Sequence, residues 1–181
     1  MPELPLNLSV GMSPTEVSKT LGVEFMSVDE VKQSIRGHDY QDFDPDEYLE
    51  KIDDLVITDS VKSDLYSRYG TVAFFSEKAA FKARFFKEQL YKIEFEFDLS
   101  TAETLSKGDE IKKQILTKYP DANFEKSKEI KDAYWVNWRK ESVKANLWVN
   151  PVDKILTIRY WDHSIFDPLI RKQKDLSEKG I

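Results

Sequence analysis

A chain of 181 residues with 40% hydrophobic and 33% charged side chains has the makeup of a single globular domain, 1–181. The absence of cysteine excludes disulfides, thiolate metal sites and cysteine nucleophiles together. No run approaches the ~18 apolar residues of a membrane span, and a net charge of −6 disfavours nucleic acid, whose phosphates supply most of such affinity.

The charge is uneven. Residues 1–60 carry 14 acidic and 4 basic side chains, whereas the rest carry 19 and 23. Such a split suits either an acidic face for a basic partner or a solvated acidic helix and loop.

The opening MPELPLNLSV has neither a basic n-region nor a long apolar stretch, so it does not read as a secretory leader. A cytoplasmic protein is expected, or a periplasmic one if a leader has been removed. Ser13-Pro14-Thr15-Glu16 is a capping box, in which serine and glutamate satisfy free N–H groups at a helix start. Val17 and Leu21 follow on one face, and Gly22 ends the helix. Asp44-Pro45-Asp46-Glu47 repeats the device before Tyr48, Leu49, Ile52 and Leu55 at helical spacing. A shorter helix is predicted over 61–69, closed by Gly70.

Strands at 71–75, 81–86 and 90–99 then form a meander. Tyr91, Ile93, Phe95 and Phe97 alternate with Lys92, Glu94, Glu96 and Asp98, the period of a half-buried strand. Ser100-Thr101-Ala102-Glu103 opens the longest helix, with Leu105, Ile111, Ile115, Leu116 and Tyr119 inward and Pro120 past its end. A second meander covers 133–139, 143–150 and 154–162. Asp167-Pro168 starts a helix in a C-terminal tail, 163–181.

Segments 80–98 and 143–162 run closely alike, which predicts an internal repeat of about 45–99 and 100–162. The expected fold class is α+β: an antiparallel sheet from two helix-plus-three-strand units, with helices packed on one face.

Gly11, Met12, Glu16, Val17, Leu21 and Gly22 of GMSPTEVSKTLG carry a resemblance. The segment resembles the opening helix of the small outer-membrane assembly lipoproteins of the SmpA/OmlA type, and the repeats of the β-lactamase inhibitory protein. That resemblance implies a bacterial, non-enzymatic, protein-binding scaffold of helix-then-meander design.

Sites of chemistry are scarce. Asp42, Asp44 and Asp46 have the spacing of a calcium loop, but its sixth position, where a glycine is needed, is Glu47. A capping box explains the same residues, so no metal is expected. His38 and His163 are placed at the surface. No G-x-S-x-G elbow or phosphate cradle exists, and no cofactor is expected. Glu94 and Glu96 share a strand face and are a conceivable acid and base; Lys82, Arg84 and Lys92 would more simply neutralise them, leaving mixed charge exposed.

The second meander is more informative. Tyr134, Val136, Trp138, Ala145, Leu147, Val149, Leu156, Ile158 and Tyr160 share one face, suited to lie under helices. The other face holds Trp135, Asn137, Arg139, Lys144, Asn146, Trp148, Thr157, Arg159 and Trp161. Either the tail covers these rings or they form a patch. Tryptophan and arginine dominate binding hot spots, because they combine area with directed polar contacts. The expected function is therefore a non-enzymatic module gripping a protein partner (inhibitor, immunity or assembly factor) through Trp135, Asn137, Arg139, Asn146, Trp148, Arg159 and Trp161. A small-ligand or carbohydrate binder using the same rings is the alternative, and an enzyme of unrecognised class comes after it.

Overall fold

A computed structural model of the chain describes residues 2–34 and 51–180. The first helix, α1 (Pro14–Leu21), carries both bonds of its capping box and stops at Gly22, whose φ of 68° is the left-handed turn glycine accepts at little cost. Two short helices follow, α2 (Val28–Ser34) and α3 (Asp59–Ser63). Next come β1 (Leu65–Phe74), β2 (Glu77–Phe86) and β3 (Gln89–Phe97). The long helix α4 (Thr101–Lys118) starts at Ser100, whose hydroxyl accepts from the Glu103 N–H. The chain continues with β4 (Asn123–Lys126), β5 (Tyr134–Lys140), β6 (Val143–Asn150) and β7 (Ile155–Trp161). A 3₁₀ turn over His163–Phe166 leads into α5 (Asp167–Glu178).

The described residues form a seven-stranded sheet in the order β1-β2-β3-β7-β6-β5-β4, antiparallel throughout. Two meanders thus meet through their third strands, with Phe95 opposite Ile158. The fold is α+β, with none of the described helices long and apolar enough to cross a membrane.

One side of the sheet is the main core. Phe81, Phe85, Ile93, Phe95, Val136, Leu147, Val149 and Ile158 lie under Val17 of α1, Ile111 and Ile115 of α4, and Leu4 and Leu8 of the N-terminal segment. That segment is anchored to the sheet: the Gly11 N–H donates to the Leu90 carbonyl, and the Leu90 N–H donates to Met12, both at 2.8 Å. α4 is pinned at both flanks. Tyr134 donates to Asp109 at 2.8 Å, and the Lys107 ammonium reaches the Phe75 carbonyl at 3.1 Å. Between these pins a Cβ on Gly108 would lie 2.8 Å from both Val149 methyls, so the helix crosses the sheet where it has no side chain.

The expectation of helices on one face holds for α1 and α4. Two other helices, α2 and α5, pad the margins of the other face. Val31 of α2 packs with Tyr69 and Ala80, and Leu169 and Ile170 of α5 pack with Ile52, Leu55, Val61, Phe86, Tyr91 and Phe166.

Three local expectations are corrected. Residues 61–69 are not one helix: α3 ends at Ser63 and β1 begins at Leu65. Gly70 is no helix stop; it lies opposite Phe81 in the ladder, and the Phe81 ring fills the space a side chain would need. Ten residues of pairing with β2 override a local helical preference here. Ile52 and Leu55 are buried in a turn, with Asp53 at φ 41° and the Leu55 N–H bonded to the Ile52 carbonyl at 2.9 Å. The rest of the helix predicted there, with the Asp44 capping box, the calcium-loop spacing and His38, lies outside the described residues. Strand β4 was not expected.

Candidate binding face

Ladder register arranges the side chains opposite the core into cross-strand rows. The first runs Ser67, Arg84, Lys92, Trp161, Lys144, Arg139 from β1 to β5. The second runs Tyr69, Lys82, Glu94, Arg159, Asn146, Asn137, Asn123, and the third Thr71, Ala80, Glu96, Thr157, Trp148, Trp135, Glu125. All seven sequence-predicted site residues fall on this face, on three adjacent strands.

The face divides into two characters. Toward its centre charge is buried: Glu94 and Glu96 are 7% exposed and Lys82 is 8% exposed. The expected exposed mixed charge is therefore corrected. These residues sit on interior strands, walled by long neighbours on either side. The Lys92 ammonium lies 3.0 Å from the Glu94 carboxylate, and Arg159 Nε lies 3.6 Å from the same oxygen. Two cations on one carboxylate make Glu94 a structural counter-ion, in an arrangement where removing one partner is far costlier than forming the set is favourable.

Beyond Arg159 the face becomes aromatic and amide. Trp135, Trp148, Trp161, Asn137, Asn146 and Arg159 are half-buried, while Arg139 and Lys144 are exposed. The Trp135 and Trp148 rings lie 5.7 Å apart at 47°. Asn146 donates its amide to Asn137 at 2.8 Å, and the Trp135 indole N–H donates to Glu125 at 2.7 Å. Glu125 stands on β4, so that strand fixes the orientation of the outermost ring. Sequence reading missed it because four residues, NFEK, show no alternation long enough to register.

The C-terminal helix does not roof these rings. Its apolar residues go to the cluster around Phe86, Tyr91 and Phe166, beside the first meander. Near there His163 departs from its expected surface placement. Its side chain is 12% exposed, packs 6.1 Å from Tyr91 and 6.0 Å from Phe166, and lies 3.5 Å from the Asp53 carboxylate. A strand that ends in a turn beneath α5 draws the ring inward. Among the described residues no three His, Asp or Glu side chains gather as a metal site.

The nine residues predicted to face the helices do so. All are buried except Tyr160, which is half-buried at the mouth of a cavity. Burial, with the bond to Asp109, pushes the Tyr134 phenol well above the ordinary tyrosine range; burial does the same to Tyr160.

Comparison with protein-family models, with curated proteins and with solved structures gives no match.

Proposed function

We propose that the chain is a protein-binding module whose working surface is the β5–β6–β7 half of the polar sheet face. The observation that carries this is the register: Trp135 beside Trp148, Asn137 beside Asn146, and Lys144 between Arg139 and Trp161 form one patch of half-buried rings and amides with exposed cations. Large rings that reach solvent in a group, rather than singly, call for a partner. The amides and arginines supply directed bonds around them. Arg139 and Lys144 are exposed while Glu94 is already held by Lys92 and Arg159, so the surplus on the patch is positive. The partner it suits carries acidic side chains around an apolar centre. The likeness of residues 11–22 to outer-membrane assembly lipoproteins and to the β-lactamase inhibitory protein points the same way.

A sugar-binding reading of the same residues has less support. The 47° angle between Trp135 and Trp148 breaks the flat platform a glycan ring would stack on.

The test is capture from an extract of the source cells by the immobilised chain, compared with a Trp135→Ala, Trp148→Ala variant. The rings are half-buried, so the variant is first shown by far-UV circular dichroism to keep its fold before recoveries are compared. A discrete protein retained by the wild type and lost by the variant supports the reading. Identical recovery by both counts against it.

A further inference from the structure

We infer that the other side of the sheet holds a separate small-molecule site, which takes an amphiphile with an apolar tail and a carboxylate head. The inference does not depend on the protein-binding reading, since it uses the opposite face.

A cavity of about 310 Å³ opens between the sheet, the end of α4 and the N-terminal segment. This lies at the small end of the range for ligand pockets. Its origin is legible in one cross-strand row: Trp138, Ala145 and Tyr160 stand side by side on β5, β6 and β7. The Trp138 and Tyr160 rings meet edge to face, 5.8 Å apart at 87°, and with the small Ala145 between their strands they form one wall of the cavity; Tyr119 stands 6.3 Å from Trp138 on another side. Leu4 and Phe74 complete a largely apolar lining. In a tightly packed core such a gap would collapse. Here α4 makes its close approach to the sheet at Gly108, between the bonds of Lys107 and Asp109, and the cavity opens further along, beside Gln114, Ile115 and Lys118.

The rim is polar and unbalanced. Glu3, Lys118 and Lys140 stand at the mouth. Lys140 and Glu3 form an ion pair at 3.0 Å that straps the N-terminal segment to β5. Each holds the other charged: the carboxyl of Glu3 sits below its usual range and the ammonium of Lys140 above its own, chiefly through their shared hydrogen bond. Lys118 adds a second cation and no second carboxylate lines the opening. An entering carboxylate would lie between Lys118 and Lys140, with its tail along Tyr119, Trp138 and Tyr160. A cationic head would meet two ammonium groups.

Decanoate, decanol and decyltrimethylammonium, each below its micelle-forming concentration, would be titrated into the full chain. Calorimetry and tryptophan emission give the readouts. Saturable binding of one decanoate per chain is expected, with the cation not binding. Lys118→Gln should weaken decanoate about tenfold, the worth of one charge-assisted contact, and leave decanol unchanged. Ala145→Leu, which adds bulk to the cavity wall, should abolish both while far-UV circular dichroism stays native; if that variant is unfolded, the Lys118→Gln comparison decides. Absent decanoate saturation, binding of the cation as tight as that of decanoate, or decanoate affinity untouched by Lys118→Gln would overturn the inference.

Discussion

Two glycines show how a missing side chain sets the packing of its neighbours. Gly70 has a Cβ position only 2.5 Å from the Phe81 ring, and Phe81 is fully buried with nowhere to move. Gly70→Ala should therefore cost about 2 kcal/mol through overpacking. Gly108→Ala meets the Val149 methyls, but gains about 1 kcal/mol of helix propensity, so the net loss should be about 1 kcal/mol. Chemical denaturation of both variants checks the order: Gly70→Ala should be the less stable. Tyr134 and Tyr160 make a second point at this scale. Both phenols are raised in the folded state, so the unfolded chain gives up those protons first, near the ordinary tyrosine value. Their contribution to stability is present below about pH 10 and falls as pH rises further. These two phenols should ionise only as the chain unfolds. Absorbance at the phenolate band, followed with far-UV circular dichroism up the alkaline range, would show it. At residue scale the caps at Ser13 and Ser100 were readable because capping is local. Gly70 was not, because its reason is Phe81, eleven positions on and across a ladder.

Among the elements, strands with clear alternation were legible and their faces with them. The core side of β5, β6 and β7 follows directly from a period of two, and so does the polar side. The start of β1 was misread, since Leu65–Gly70 holds no strict alternation and its partner is β2. β4 is an edge strand of four residues, too short to announce itself. What no strand pattern could reveal is which helix would cover which face. α4 went to the apolar side by its own Ile111 and Ile115, while α5 settled beside the first meander. The placement has an optical consequence. Trp138 is 8% exposed, whereas Trp135, Trp148 and Trp161 are half-buried. Acrylamide should quench three of the four indoles readily and one poorly, and Trp138→Phe should remove the protected fraction. Uniform protection of all four would mean that the polar face is covered.

Taken whole, the molecule is a sheet with two unlike sides. One is packed beneath α1 and α4, and leaves a cavity lined in part by Trp138, Ala145 and Tyr160. The other buries its charge centrally, around Glu94, and offers tryptophan, asparagine and arginine on its outer half. The two three-strand meanders pair through β3 and β7, and the duplication expected from the sequence rests on the likeness of residues 80–98 and 143–162. The seven candidate residues could be listed from sequence because they share one face of three consecutive strands. Lys92 was legible as a partner of Glu94, two positions away on the same strand face, whereas Arg159 at that carboxylate and the cavity were not, because each joins parts of the chain far apart. The central claim is that the outer half of the polar face meets a protein. A photo-crosslinking residue placed at Asn146, at its middle, and for comparison at exposed Lys113 on α4, would test this in the source cells. A discrete protein adduct is expected from position 146 and none from 113. No adduct from 146, or the same adducts from both positions, would contradict the claim.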